Sequence, residues 1–575
     1  MIRHAMASLA LAACALGAAA AWGASPPAVE APDGMVVSSQ HLASDAGAEI
    51  LRAGGNAVDA AVATGYAQAV TNPCCANIGG GGFMVIHLAK DDRDTFLNFR
   101  ETAPAAATRT MYLDAAGNPV KGASLYGYLA VGVPGSVLGL DTALQRYGTL
   151  PREQVMAPAI RLAREGFILT RGDTDILDAG AKLLKQDPVA AKIFFRPDGS
   201  AFKPGDRLVQ ADLADTLEAI AKGGPDAFYK GAVAQKVEAA MKAGGGVMTA
   251  QDFAAYTVTE TAPVTCSYRG YEFVSSPPPS SGGTTMCEIL NILEGYDLKA
   301  LGWHSAAGVH LMIEAMRHAY MDRNTYLGDP AFVNNPLDRL LSKDYAAQIR
   351  TRILPDKATP SKEVQPGAAP HEKTETTHYS VVDKDGNAVS VTYTINGLFG
   401  AGVIAPGTGF LLNDEMDDFT SKPGVPNLFG LVQGEANAIA PGKRPLSSMS
   451  PTIVSRDGRP VMVIGTPGGS RIITVVVHCI LNVVDYGMNI QEAIDAPRFH
   501  QQWLPETTNV DTFALSPDTR KILLDMGHKF GDPQPAGHAA GILVGAPSLN
   551  GKPRGKDRFY GANDPRRGTG FALGY

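Results

Sequence analysis

The chain has 575 residues and a net charge of −7, from 50 Lys and Arg against 57 Asp and Glu. Its residues are 45% hydrophobic and 19% charged, so it can bury a large core, which excludes a disordered or fibrous protein. A pI near 6.0 without a basic block excludes nucleic acid as the main partner.

The N-terminus has the pattern of a secretory signal. Arg3 supplies a positive charge, residues 5–22 are almost wholly apolar and small residues follow, so we predict a signal peptide over residues 1–23. Two alternatives stay open: the same run as a membrane anchor, and a lipid anchor on Cys14, which ends a lipobox-like Leu-Ala-Ala-Cys. The signal peptide predicts a periplasmic or secreted chain. Because no later run is long and apolar enough to span a bilayer, we expect no integral membrane span in the mature chain.

The cysteines do not follow the spacing of a disulfide framework, and no CxxC occurs. We therefore predict that the adjacent Cys74 and Cys75 are buried small apolar side chains. Five cysteines remain after the signal peptide, so at least one thiol has no partner within the chain.

Helical and strand patterns divide the first 350 residues. Residues 25–32 are rich in Pro and Ala and are predicted to be disordered. Apolar periodicity then predicts the following elements: helices over 41–53 and 56–70, strands over 83–88 and 96–100, and helices over 151–165, 208–221, 284–294 and 304–327. A glycine-rich turn (79–82) and a proline-rich loop (277–283) interrupt this order.

The remainder is richer in strands. After a polar loop over 355–375, alternating segments predict strands at 379–383 and 388–394, joined by a Lys-Asp-Gly turn. A three-residue loop pairs Asp383 with Asn387, and this register places Thr376 opposite Thr394 on one face of the sheet. Strands at 452–455 and 461–465 and a helix at 472–486 follow, so the order favours sheets covered by helices.

The junction between Glu375 and Thr376 is the most informative point for chemistry. A polar loop runs into a strand that begins with a hydroxyl residue, which self-cleavage could turn into a new N-terminus. The freed α-amine is a base that can activate the hydroxyl of the same residue. Taken alone, two threonines are also ordinary strand sequence.

Other segments are weaker candidates. The Gly468-Gly469 turn offers backbone N–H groups for an oxyanion, and Arg100 is a natural carboxylate partner. Ser447 and Ser448 could bind a carboxylate, and the acidic run 413–418 could bind a cation or amine, unless it is a solvated loop. There is no GxSxG and no HExxH, and we assign no metal ligands and no cofactor.

Six segments in order resemble the γ-glutamyltranspeptidase family of N-terminal-nucleophile enzymes, namely 77–84, 99–104, 277–283, 376–380, 445–451 and 468–471. The resemblance covers nearly the whole chain after the signal. It implies an α+β fold, a four-layer αββα sandwich with two stacked antiparallel sheets flanked by helices.

The resemblance also implies roles for the candidate residues. Thr376 resembles the nucleophile of both self-cleavage and catalysis, Thr394 the threonine that hydrogen-bonds it, and Gly468 and Gly469 the oxyanion donors. The implied substrate-binding residues, which hold the α-carboxylate and α-amino groups of a γ-glutamyl compound, are Arg100, Ser447, Ser448, Asn396, Glu415 and Asp418. Phe429 lies in the segment similar to the family's lid, where many bacterial members have Tyr.

By the same resemblance, cleavage between Glu375 and Thr376 yields a heterodimer of a large subunit (24–375) and a small catalytic subunit (376–575). The implied function is a γ-glutamyl acyltransferase and hydrolase that acts on glutathione and related compounds and passes the acyl group to water, an amino acid or a dipeptide. Two alternatives are a β-lactam (cephalosporin) acylase of the same superfamily and a non-catalytic periplasmic binding protein.

Overall fold

The structure, a computed structural model, describes residues 25–364, 376–535, 537–556 and 558–575. The predicted signal peptide, Cys14 and Glu375 lie outside these residues. Within the described ranges, no helix is both long and apolar enough to cross a membrane.

The strands are numbered in chain order: β1 (Val29–Ala31), β2 (Met35–Ser38), β3 (Gly81–Leu88), β4 (Arg93–Phe99), β5 (Phe167–Ile168), β6 (Arg207–Leu208), β7 (Thr259–Thr261), β8 (Val264–Tyr268), β9 (Tyr271–Ser275), β10 (Thr377–Val382), β11 (Ala388–Thr394), β12 (Thr452–Arg456), β13 (Arg459–Gly465), β14 (Phe499–His500), β15 (Asn509–Val510), β16 (Ala540–Val544), β17 (Phe559–Asn563) and β18 (Phe571–Gly574).

The helices are α1 (His41–Arg52), α2 (Ala57–Thr71), α3 (Ser136–Tyr147), α4 (Arg152–Glu165), α5 (Arg171–Leu184), α6 (Pro188–Phe194), α7 (Ala211–Gly223), α8 (Asp226–Tyr229), α9 (Ala232–Gly244), α10 (Ala250–Ala255), α11 (Gly282–Leu293), α12 (Leu298–Leu301), α13 (Ala306–Tyr326), α14 (Leu337–Leu340), α15 (Lys343–Arg350), α16 (Ile472–Val484), α17 (Ile490–Asp495) and α18 (Pro517–Asp525). Short 3₁₀ turns include Glu415–Asp418 and Gly469–Arg471.

Two seven-stranded antiparallel sheets form the centre. The first has the order β18-β2-β10-β11-β3-β4-β7, and the second β1-β17-β16-β13-β12-β9-β8. Each sheet alternates its side chains between two apolar environments, because strand residues point to opposite faces. In β3, for example, Phe83 and Val85 join the core between the sheets, whereas Met84 and Ile86 join the core beneath the helices.

The second sheet repeats this arrangement. Val463 of β13 packs between the sheets, and Met462 and Ile464 pack against α11, α13 and α16 on the outer face. The layers are therefore helix, sheet, sheet and helix, which confirms the predicted αββα sandwich. Burial on both faces also explains why these strands are continuous apolar runs rather than amphipathic ones.

The predicted elements agree with the structure to within a few residues, and Asn56 caps α2 through a reciprocal capping box with Asp59. The prediction of disorder over residues 25–32 is wrong for residues 29–31, because β1 pairs with β17 there. The backbone hydrogen bonds of that pairing outweigh the local Pro and Ala content, and a partner more than 500 residues away leaves no local signal.

The cysteine prediction is wrong in part. Cys74 and Cys75 are buried as expected, but they form a disulfide, and a second disulfide joins Cys266 of β8 to Cys287 of α11. Cys479 is a free, buried thiol, in agreement with the odd count. The second pairing depends on how α11 packs against the sheet, which spacing alone does not reveal.

Candidate active site

Two threonine hydroxyls meet at the start of the central hairpin. Thr377 of β10 pairs with Tyr393 of β11, which is the register that the turn length predicts. This register brings Thr376 beside Thr394. Their Oγ1 atoms lie 3.5 Å apart, and both residues are almost fully buried. Because Thr394 Oγ1 accepts the Asn396 N–H at 2.8 Å, its own hydrogen is left to donate toward Thr376.

The glycine-rich turn before β3 sets the position of Thr394. A Cβ on Gly80 would lie 1.8 Å from the Thr394 carbonyl oxygen, and one on Gly79 would lie 2.2 Å from that of Leu411. Only glycine permits this approach of two backbones. The turn is therefore a close-packing device.

A pocket opens beside the two threonines. It brings together nearly all the predicted site residues, and its lining consists of Arg100, Arg323, Thr376, Thr394, Asn396, Glu415, Asp418, Phe429, Leu431, Leu446, Ser447, Ser448, Met449, Gly469 and Ile472. Of the predicted set within the described ranges, only Gly468 does not line it. These residues come from segments more than 300 positions apart.

Arg100 forms the charged centre of the pocket wall. It follows β4 and is completely buried, and its guanidinium forms ion pairs with Glu415 and Asp418. Its Nε also donates to the Pro445 carbonyl oxygen at 3.2 Å. The acidic run is buried rather than a solvated loop, since the 3₁₀ turn Glu415–Asp418 packs directly on this arginine.

The carboxyl groups around Arg100 have raised pKa values. Burial raises the pKa of Glu101 to about 7, although the neighbouring Arg100 opposes the effect, and burial raises the pKa of Asp417 to about 6. Burial also raises the pKa of Glu415 and Asp418, again against the attraction of Arg100. Such clusters of perturbed carboxyls are typical of functional sites.

Sequence reasoning missed Arg323 as a second cation in the pocket. It lies near the end of α13, is buried, and donates to Ser448 Oγ at 2.9 Å and to Ser281 Oγ at 2.8 Å. Burial lowers its pKa to about 10. An arginine within a long, largely buried helix was the available signal, but the pocket that it faces depends on tertiary packing.

The serine segment is held by the proline-rich loop. Ser447 N donates to Pro279 O at 2.8 Å, Ser281 N donates to Ser447 O at 2.8 Å, and Ser280 Oγ donates to Met449 O at 2.6 Å. These contacts explain why residues 277–283 and 445–451 both appear in the resemblance, since they build one wall together. Ser448 Oγ projects from that wall to Arg323.

The glycine turn after β13 lies under the predicted lid. Gly469 has φ +54°, and a Cβ there would lie 2.4 Å from the Phe429 ring. Phe429 is 4% exposed and covers the turn. Hydrogen bonds fix this lid segment to the acidic run, because Leu428 N donates to Asp417 at 2.7 Å and Asn427 Nδ2 donates to Asp418 at 3.2 Å.

Two antiparallel sheets between helical layers, with a threonine entering a central strand, define the N-terminal-nucleophile class of hydrolases. The sequence model of the γ-glutamyltranspeptidase family matches residues 43–574. The chain is 65% identical over 552 residues to a glutathione hydrolase proenzyme from Pseudomonas sp. strain A14, covering 96% of both chains. It is 50% identical over 549 residues to the Escherichia coli K12 glutathione hydrolase proenzyme, covering 95% of this chain and 93% of that one.

Among solved structures, a cephalosporin acylase from Bacillus halodurans superimposes with a TM-score of 0.82 at 28% identity, covering 97% of this chain and 98% of that one. The chain thus belongs to the γ-glutamyltranspeptidase family.

Proposed function

We propose that this protein is a self-processing γ-glutamyl acyltransferase and hydrolase that acts on glutathione and related γ-glutamyl compounds. The single observation that carries the proposal is the 3.5 Å approach of the Thr376 and Thr394 hydroxyls beside a pocket lined by Arg100, Glu415 and Asp418. The same pocket thus contains a nucleophile and the charged residues Arg100, Glu415 and Asp418, here called the clamp, which can bind the α-carboxylate and α-ammonium groups of an amino acid.

The proposed clamp holds both charged groups of the γ-glutamyl α-carbon. Arg100 receives the α-carboxylate with Ser447 and Ser448, because a guanidinium matches a carboxylate in plane and charge. Asp418, Glu415 and Asn396 receive the α-ammonium group. A substrate that lacks either group leaves a buried charge unpaired, at a cost of about 1–3 kcal/mol.

In the proposed reaction, the precursor first cleaves between Glu375 and Thr376, so that Thr376 gains a free α-amine. That amine takes the hydroxyl proton as Oγ1 attacks the γ-amide carbonyl, and Thr394 donates a hydrogen bond to Oγ1. The N–H groups of Gly468 and Gly469 stabilise the oxyanion.

The leaving amine then takes the proton, which leaves a γ-glutamyl ester on Thr376. Water releases glutamate from this ester, or an amino acid or dipeptide accepts the acyl group. Phe429 closes the pocket during these steps.

The proposal includes the division into a signal peptide (1–23), a large subunit (24–375) and a small subunit (376–575), with a periplasmic or secreted location. Its support is the signal-like N-terminus and the strand that begins directly after Thr376. The two subunits would remain one heterodimer.

Two substrates that differ in one group test the proposal. A γ-glutamyl anilide carries the α-ammonium group, and a glutaryl anilide lacks it. We expect kcat/KM for the γ-glutamyl anilide to be higher by roughly 5- to 150-fold, from about 1–3 kcal/mol for the unpaired acidic groups. Equal or faster glutaryl hydrolysis would favour the cephalosporin acylase instead.

The Asp418→Asn variant tests whether the pocket causes the preference for the γ-glutamyl anilide. We expect it to lower kcat/KM for the γ-glutamyl anilide much more than for the glutaryl anilide, because only the former presents an ammonium group. Asp45→Asn, on the exposed side of α1, is the matched control and should change neither value. No hydrolysis of either anilide by the wild type would support the non-catalytic binding protein.

A further inference from the structure

A cluster of buried metal-binding side chains lies outside the candidate active site. His310 and Glu314 are one turn apart on α13, and His528 follows α18. One ligand atom from each of the three lies within 4.8 Å of the others, and all three side chains are at most 2% exposed. The cluster shares no residue with the pocket at Thr376.

The hydrogen bonds of His310 leave a nitrogen facing the cluster. Its Nε2 lies 2.7 Å from the Leu354 carbonyl oxygen, which can only accept, so Nε2 carries a hydrogen. Its Nδ1 lies 2.8 Å from Nε2 of His528. An imidazole whose other nitrogen donates to a backbone carbonyl is the usual form of a metal-binding histidine.

Two buried polar atoms of the cluster have no hydrogen-bond partner among the described residues. They are Oε2 of Glu314 and Nδ1 of His528. The other oxygen of Glu314 is occupied, because it accepts from Arg317 Nε at 3.3 Å and from Thr359 N at 3.2 Å. Arg317 therefore lies on one side of the carboxylate, and the unpartnered oxygen is left for a cation.

The cluster lies close to the protein surface, because Leu354, whose carbonyl oxygen contacts His310, is 50% exposed.

We propose that His310, His528 and Glu314 form a binding site for a divalent transition-metal ion of the zinc class. Two imidazole nitrogens and one carboxylate oxygen are a ligand set that suits zinc, with water or the second carboxylate oxygen completing four-coordination. The metal replaces the hydrogen shared by the two rings, and that hydrogen moves to Nδ1 of His528.

The change needed to admit the ion is small. Tetrahedral zinc with Zn–N distances of about 2.0–2.1 Å separates two ligand nitrogens by about 3.3 Å. The two nitrogens, now 2.8 Å apart, must therefore move apart by roughly half an ångström. His528 lies in the turn after α18, next to Gly527 at φ +98°, where such a movement is local.

An ion at this site would hold together segments that are distant in the sequence. Leu354 and Thr359 form hydrogen bonds with His310 and Glu314. Both belong to residues 354–364, here called the arm, which precede the proposed cleavage junction. Ser361 continues the arm and accepts from Arg317 at 2.6 Å. A bound ion would fix this arm to α13 and to the C-terminal region. His528 lies more than 200 residues from His310 and Glu314, so sequence spacing alone does not bring the three side chains together.

Zinc titration of tag-free, chelator-treated full-length protein tests the proposal. We expect one zinc per chain by calorimetry and by elemental analysis after gel filtration, together with a zinc-dependent rise in Tm. His528→Gln and Glu314→Gln should each weaken zinc binding by at least about 100-fold and abolish the rise. His318→Gln is the matched control, a buried histidine on the same helix outside the cluster, and should bind zinc as the wild type does.

Cobalt substitution of the wild type gives a readout that does not depend on the folding of a variant. We expect the intense visible absorption of four-coordinate Co²⁺ with nitrogen and oxygen ligands, removed by one equivalent of zinc. Absence of stoichiometric zinc in the wild type, a six-coordinate cobalt spectrum, or equal zinc affinity in wild type and His528→Gln would each overturn the site.

Discussion

At the scale of single residues, the pocket wall has an excess of buried acid. Glu415 and Asp418 pair with Arg100, and Asp417 lies beside them at 5% exposure. Burial raises the pKa of all three carboxyls. A substrate ammonium group that neutralises this excess is bound more favourably than a neutral group, which is the physical basis of the proposed α-amino preference.

The stability of the protein at different pH values tests the burial of the Asp417 carboxyl. Its pKa rises from 3.8 to about 6, so the folded chain retains a proton that the unfolded chain releases between these values. The charged form therefore opposes folding by up to about 3 kcal/mol above pH 6. We expect the free energy of unfolding of Asp417→Asn to increase relative to wild type from pH 4 to pH 6 and then to stay level.

Denaturant unfolding at several pH values measures this difference. Asp45→Asn, which is exposed, should run parallel to the wild type throughout. A difference between Asp417→Asn and wild type that does not change between pH 4 and pH 6 would show that Asp417 is not buried as a proton-binding group.

At the scale of elements, the hairpin β10–β11 was predictable and its surroundings were not. A turn of fixed length sets the register, so the opposition of Thr376 and Thr394 follows from local sequence. Arg323 and Ser448 meet only because α13 and the segment around residue 448 pack together across more than 100 residues. Contacts of this kind depend on the whole core, which periodicity does not encode.

Gly80 links the turn before β3 to the threonine pair. Because an added Cβ would lie 1.8 Å from the Thr394 carbonyl oxygen, Gly80→Ala must shift one of the two backbones. We expect about 1–3 kcal/mol less stability and at least about tenfold lower kcat with a γ-glutamyl anilide, since small displacements of reacting groups are costly.

Gly568→Ala is the control for this change. No atom lies within 4 Å of the added Cβ, so stability and kcat should remain those of the wild type. If Gly80→Ala retained full activity, the close approach of the two backbones would not determine the position of Thr394.

At the scale of the whole molecule, the proposed junction at 375/376 divides the chain but not the fold. The first sheet takes β2, β3, β4 and β7 from before the junction and β10, β11 and β18 from after it, and the second sheet is mixed in the same way. Neither part contains a complete core. We expect both chains to elute as one particle in native gel filtration, and separately expressed residues 376–575 to fail to fold.

No disulfide joins the two proposed chains. Both disulfides lie before the junction, and Cys479, the one cysteine of residues 376–575, is a free thiol. No covalent bond between cysteines therefore holds the chains together after cleavage. Denaturation without a reducing agent should be sufficient to separate them.

Non-reducing denaturing electrophoresis with intact-mass measurement of the wild type and Thr376→Ala tests whether Thr376 is the nucleophile of self-cleavage. We expect two wild-type chains, the smaller with the mass of residues 376–575 and Thr376 at its N-terminus, and one uncut, inactive chain for Thr376→Ala. A single wild-type chain, or a Thr376→Ala protein that still divides at the same peptide bond, would contradict the assignment of Thr376 as the nucleophile.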